Sequence, residues 1–171
     1  SFVNVLGGRI QALARAHDQI TNQNWAPAPL RLLLESEAGA YLGARAERIA
    51  MAGPGVSLDP RAFTTVALVI HELMTNSAKY GALADSSGEV EVSWQIGPHA
   101  NLTIDWKERG GPPVQPPLRQ GFGTTIIERS IPFDLKGEAE LRFDLLGVNA
   151  RFVIPASYVK LSADLNGASI L

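Results

Sequence analysis

The chain reads as an α/β sandwich with a mostly antiparallel sheet, and three observations predict this. Ala67 to Leu83, ALVIHELMTNSAKYGAL, has the pattern of a single helix with polar residues along one side. Two pairs of alternating apolar and polar runs read as β-hairpins. The order of elements places the helix between short strands and the first hairpin, with a glycine-rich loop, a short helix and the second hairpin following.

Residues 1–21, SFVNVLGGRIQALARAHDQIT, place Phe2, Leu6, Ile10, Leu13 and Ile20 near the intervals of an amphipathic helix, whose first turns Gly7 and Gly8 weaken. A lone helix of this length cannot bury that stripe, so it is expected to pack on the body or to pair with further helices, as in a dimerisation bundle. Because the helical pattern is already under way at Ser1, the chain is expected to be a piece of something longer. Trp25-Ala26-Pro27-Ala28-Pro29 reads as a turn, since its prolines preclude a regular helix. Leu30 to Leu42 then spaces Leu33, Leu34, Ala38 and Leu42 for burial on a second helix.

Arg48–Ala52 and Val56–Leu58 are short strand candidates around Gly53-Pro54-Gly55. Asp59-Pro60 starts the central helix, with Asp as N-cap and Pro in the first turn. That helix is expected to stop near Gly81, which reads as its C-cap. Val90, Val92, Trp94 and Ile96 share one face of a strand, and Leu102, Ile104 and Trp106 one face of the next. Pro112 to Gln120, PPVQPPLRQ, cannot form a regular element and resembles a flap over a site. A short helix is expected from Thr125 to about Ser130, then a hairpin of Glu138–Leu145 and Ala150–Ile154 around Gly147. From about Lys160 the sequence reads as tail.

The totals narrow the function. At 171 residues the chain suits one well-packed domain. Fifteen Lys and Arg against 17 Asp and Glu give a net charge of -2, so no global basic field points to nucleic acid or an anionic membrane. Any phosphate-bearing ligand must be held locally. The absence of Cys excludes disulfides, thiolate metal sites and a cysteine nucleophile, and accords with the cytoplasm. No apolar run approaches the ~20 residues of a membrane span.

On the central helix, Glu72 and Asn76 lie one turn apart, with Lys79 and Tyr80 a further turn on. Alone, this stripe is open between a site and a solvated face. His71-Glu72 suggests zinc, but Thr75 stands four residues after His71, so H-E-x-x-H fails. His17-Asp18 resembles the His-acid pair of phosphoacceptor helices, against the simpler reading of a polar pair near a helix end. Gly110-Gly111 and Gly121-Gly123 bracket the proline-rich loop, and glycine lets backbone N–H groups approach an anion. Neither cluster matches a P-loop or a dinucleotide fingerprint.

Taken together, His71-Glu72-x-x-x-Asn76-x-x-Lys79-Tyr80 resembles the N box of the GHKL ATP-binding fold. Trp106-x-Glu108-x-Gly110-Gly111 resembles its first glycine box, and Gly121-Phe122-Gly123-Thr124 its second. His71 with Trp106-x-Glu108 is similar to the signature of the HWE bacterial sensor histidine kinases, and the likeness runs from Phe2 to Pro155.

The resemblance implies a two-layer α/β sandwich with helices on one face. It also implies phosphoryl transfer from Mg-ATP to a histidine on the dimerisation domain, for two-component signalling. Residues 1–24 would be the end of the dimerisation helix, 25–160 the ATP-binding domain and 161–171 a tail. Asn76 would bind Mg2+, and Glu72 would orient or deprotonate the attacking group. Lys79 and Tyr80 would flank the phosphates and sugar. Glu108, where most GHKL proteins have Asp, would accept the adenine amino group after pulling back by about one methylene. Gly110 would give the base room, the backbone at Gly121, Gly123 and Thr124 would hold phosphate, and Arg119 would reach the γ-phosphate. Set against the resemblance, Trp106 reads as packing in the sheet, and His71 as a helix residue that bonds Glu108 or a backbone group.

The family's acceptor histidine lies on an earlier helix, which would make His17 a remnant of the second dimerisation helix. The implied partners are ATP, a response regulator and, in the full-length protein, a second copy, with neither nucleic acid nor membrane insertion of this part. Many GHKL relatives carry Gly-Thr before the last strand, whereas here Val148 follows Gly147. Two readings of other classes stay open: a scaffold module of the same fold that has lost nucleotide, and a GHKL ATPase or serine-directed anti-sigma kinase.

Overall fold

The computed structural model of the chain describes residues 2–85, 87–113 and 122–162. Helix α1, Phe2–Asn22, leads through strand β1, Ala28–Pro29, into helix α2, Leu30–Leu42. Strands β2, Ile49–Ala52, and β3, Val56–Leu58, precede the central helix α3, Pro60–Tyr80. Then come β4, Glu89–Ile96, and β5, Leu102–Arg109, followed by helix α4, Phe122–Leu135. The described chain ends with β6, Glu138–Asp144, β7, Gly147–Ile154, and β8, Val159–Leu161.

The principal sheet has the order β2-β4-β5-β7-β6, parallel only between β2 and β4. Alternation sends one set of side chains inward, since successive residues of a strand face opposite sides. Val92, Trp106 and Ala150 stand opposite one another across three strands, and all three are buried. That face packs on Phe63, Val66, Ile70 and Leu73 of α3 and on Ile127, Ile131 and Leu135 of α4. The helices therefore lie on one face of the sheet, as the resemblance implies.

Asp59 caps α3 through a 2.9 Å bond from the Ala62 N–H, with Pro60 in the first turn, and Gly81 closes its C-terminus. Arg48 then ties down the following connection by donating to the carbonyl oxygens of Asp85 and Gly88.

Three elements depart from the sequence reading. Helix α4 starts before Thr125 and runs past Ser130 and through Pro132. A proline removes one N–H from the ladder, but the i, i+4 row of Ile127, Ile131 and Leu135 is fully buried and outweighs that loss. Ala28–Pro29 pairs with Leu58 and Ser57 rather than only turning, and β8 pairs with β3 beyond Lys160. Short edge pairings of two or three residues carry too little pattern to be read in advance.

Helix α1 resolves an alternative left open by the sequence: its apolar stripe is not packed on the body, since Phe2 is 78% exposed and Ile10 58%, whereas Ala12 and Ala16 are buried. Of the five apolar residues, Ile20 alone is buried. The helix lies on α3 by its small-residue face.

Gly147 fixes the end of β5. Its φ is +150°, and a Cβ there would lie 2.0 Å from the carbonyl oxygen of Glu108. Gly147→Ala is therefore expected to destabilise the protein by about 1–3 kcal/mol, read as a lower urea midpoint. An unchanged midpoint would refute this packing.

Candidate functional site

A cleft of about 1140 Å³ opens along α3, between the first turns of α1 and α4 and the β6–β7 hairpin. Glu72, Asn76, Lys79, Tyr80, Glu108, Gly123 and Thr124 all line it. Glu72, Glu108 and Thr124 are buried, Asn76 is half-buried, and Lys79 and Tyr80 form the exposed rim. Gly110 does not line the cleft. With φ +71° it turns the chain out of β5, and its carbonyl accepts the Ser87 hydroxyl at 3.0 Å. Arg119 and Gly121 lie outside the described residues.

Glu108 is held by three donors. Its Oε1 accepts the Ser77 hydroxyl at 2.7 Å and the Ala82 N–H at 2.9 Å. Its Oε2 accepts the Trp106 indole N–H at 3.0 Å. Trp106 is fully buried in the sheet, as expected, and its indole polar atom is spent on Glu108. Gly81 makes room for this carboxylate, since a Cβ there would lie 2.2 Å from Oε1. A carboxylate has about four acceptor positions, so Oε2 keeps one for a ligand's N–H.

His71 also borders the cleft but bonds toward α2. Its Nδ1 lies 3.2 Å from Oε2 of Glu37 on α2, and Arg15 of α1 grips the same carboxylate at 3.1 and 3.0 Å. The expected bond from His71 to Glu108 or to backbone is thus corrected: the partner is Glu37, a residue the sequence reading passed over. Burial pushes the Glu37 carboxyl up, but the His71 and Arg15 hydrogen bonds and the Arg15 charge bring it below its usual value. Tyr41 meets the His71 ring edge-on at 5.8 Å between centroids.

Glu72 is paired with Arg9 of α1 through both oxygens, Nε to Oε1 and Nη2 to Oε2. Gly8 of α1 lies beside His71, where a Cβ would make only an ordinary contact with Nε2, at 3.4 Å. Gly123 of α4 is the stricter position, because a Cβ there would lie 2.6 Å from Glu72 Oε2. Arg9 was missed: Gly7 and Gly8 mark this part of the helix as unusual, but nothing local names Glu72 as the partner of Arg9. The apolar wall of Ile127, Leu141, Phe143 and Val148 was also missed, and Val148 stands where a threonine contact was not assumed.

His17 is not in this cleft. It stacks edge-on against Trp25 at 5.4 Å and lines a smaller depression of about 450 Å³ with Arg61 and Asp134.

This geometry agrees with the comparisons. Residues 1–55 match the model of the family described as HWE histidine kinase. A blue-light-activated histidine kinase 1 of Erythrobacter litoralis is 35% identical over 159 residues, covering 90% of this chain and 44% of that protein. The chain belongs to the HWE histidine kinase family. A blue-light-activated histidine kinase of Brucella ovis is 31% identical over 143 residues, covering 82% of this chain and 29% of that protein. The chain thus spans less than half the length of these relatives. The solved histidine kinase domain of the Erythrobacter litoralis EL346 protein superposes with TM-score 0.72 at 19% identity, covering 89% of this chain and 75% of that one. The fold is thus the GHKL fold of histidine kinase catalytic domains.

A lowered folded-state pKa means that Glu37 contributes stability above its unfolded value, near 4.5, and that this is lost as pH falls through the lower folded value. Urea unfolding from pH 7 to 3 is expected to show the wild type losing stability on the acid side. Glu37→Gln is expected to be less stable at pH 7 and to show a shallower acid decline. An equally steep decline would remove Glu37 as the titrating group.

Proposed function

We propose that the chain is the ATP-binding catalytic part of a sensor histidine kinase, which transfers the γ-phosphoryl group of Mg-ATP to a histidine of the dimerisation domain. One observation carries this reading: a single helix presents Glu72 and Asn76 at one end of a large cleft and seats Glu108 at the other. Glu108, clamped but with acceptor capacity left on Oε2, suits the amino group of adenine. The apolar wall of Ile127, Leu141, Phe143 and Val148 suits an aromatic base. The first turn of α4, with Gly123 and Thr124, supplies backbone N–H groups, and Lys79 and Tyr80 stand at the rim beside the phosphates and sugar.

Asn76 fits a magnesium ion. Its amide faces the cleft and carries no hydrogen bond to another described residue. No cluster of three acidic, His or Cys side chains exists among the described residues, and Mg2+ that is shared with phosphates needs only one or two protein ligands. Bound there, the ion would neutralise charge on the phosphates. The protein's part is positioning: Glu108 sets the base, the α4 turn and Asn76 set the phosphates, and Glu72 orients the attacking imidazole or takes its proton.

Residues 1–24 serve in this reading as the end of a dimerisation helix. The exposed apolar residues Leu6, Ile10 and Leu13 support that, because they form a row that the body leaves uncovered. A second copy and a response regulator are the partners of the whole protein. His17, which lies outside the cleft, is read as a remnant of the dimerisation helix rather than as the acceptor. None of the described helices is long and apolar enough to cross a membrane.

Calorimetry with Mg-ATP tests the reading. The wild type is expected to bind, and Asn76→Ala to lose the magnesium-dependent part of the affinity, about tenfold or more. Unchanged affinity would remove Asn76 from the metal. With γ-labelled ATP, no label is expected on His17, and strong label there would reverse its assignment. Failure of the wild type to bind nucleotide would favour a scaffold module of this fold, and steady phosphate release without an acceptor histidine an ATPase.

A further inference from the structure

The reading above leaves unused Arg9 of α1, a cation seated against Glu72. We propose that Arg9 of α1 is a phosphate-binding residue of the cleft, held on Glu72 in the nucleotide-free chain and turned onto the terminal phosphate when ATP binds. This rests on the nucleotide reading and adds a residue to it.

Position is the first argument. Ser77 receives Glu108 near the C-terminal end of α3, and Glu72 lies five residues earlier, about 7.5 Å back along the axis. With the base at Glu108, Arg9 lies beyond Asn76 and Glu72, at the far end of the cleft from the base. The Arg9 guanidinium also faces α4: a Cβ on Gly123 would stand 3.6 Å from Nη2. The phosphate-holding turn and the guanidinium are thus neighbours, separated by the space that a side chain at 123 would fill.

Chemistry is the second argument. A guanidinium presents a planar fork that matches carboxylate and phosphate alike, so the bidentate grip on Glu72 is of the kind a phosphate would receive. The Arg9 side chain is only 12% exposed, so little rotamer freedom remains to be lost on binding. Transfer of Arg9 to the phosphate would free both oxygens of Glu72, which orientation or deprotonation of an imidazole requires. Arg9 therefore links two needs of the reaction: charge on the phosphate and an unoccupied Glu72.

The proposal differs from a role confined to neutralising Glu72, and a double-mutant cycle separates them. Mg-ATP and Mg-ADP affinities are measured by calorimetry for wild type, Arg9→Ala, Glu72→Gln and the double variant. The expected result is that Arg9→Ala lowers the ATP-to-ADP affinity ratio about tenfold, and does so again in the Glu72→Gln background. If the loss vanishes once Glu72 is neutral, Arg9 only offsets that carboxylate and the proposal is overturned. Should Arg9→Ala not fold, Arg9→Lys keeps the charge and loses the fork. A lowered ratio for it then supports the proposal, and an unchanged ratio overturns it. A wild type that binds neither nucleotide overturns the nucleotide reading, whereas binding of both with no Arg9 effect overturns this inference alone.

Discussion

Three buried carboxylates, Glu37, Glu72 and Glu108, set the terms on which this chain can fold. A carboxylate removed from water without partners costs several kcal/mol, and loss of one partner from a buried pair about 3–5 kcal/mol. Each of the three therefore needs donors at fixed places. Those donors come from different elements: Arg9 and Arg15 from α1, His71 and Ser77 from α3, Trp106 from β5. Satisfying the carboxylates locks α1, α2, α3 and the sheet into one arrangement. The apolar core drives collapse but, being non-directional, does not by itself choose that arrangement.

The signature residues of the family gain a physical meaning from this. His71 and Trp106 need touch no ligand to matter, because each supplies a ring N–H position to a buried carboxylate: His71 to Glu37, and Trp106 to Glu108. The glycines follow from the same constraint. At Gly81 and Gly123 a Cβ would sit within 3 Å of a carboxylate oxygen, of Glu108 and Glu72 respectively. Burying a carboxylate against another element leaves no volume for a side chain on that element.

How much of this the sequence showed depends on distance along the chain. The central helix, its Asp59 cap and both hairpins were legible, because capping and alternation are local. The cleft residues on α3 were legible as a stripe, since Glu72, Asn76 and Tyr80 follow helical spacing. Arg9 and Glu37 were not: their partners lie 63 and 34 residues away, and nothing local distinguishes them from solvated charges. For α1 the reading left two outcomes open, packing of the stripe on the body or pairing with further helices. Periodicity located the apolar stripe, but the face that meets α3 carries Ala12 and Ala16 and is anchored by the ion pairs of Arg9 with Glu72 and Arg15 with Glu37.

That choice gives α1 two faces with separate tasks. The inner face carries Arg9 and Arg15 to carboxylates seated on or against α3, and the outer one leaves Leu6, Ile10 and Leu13 for other contacts. Arg9 and Arg15 are six residues apart, about 9 Å along the helix, so the two ion pairs fix both the position and the rotation of α1. A slide of α1 by one turn, about 5.4 Å, cannot preserve either pair, because each is bidentate and directional. Whatever packs on the outer stripe therefore acts on the same rigid helix that sets the Arg9–Glu72 contact. The geometry of the cleft and the seating of α1 are one mechanical unit, joined through two guanidinium groups.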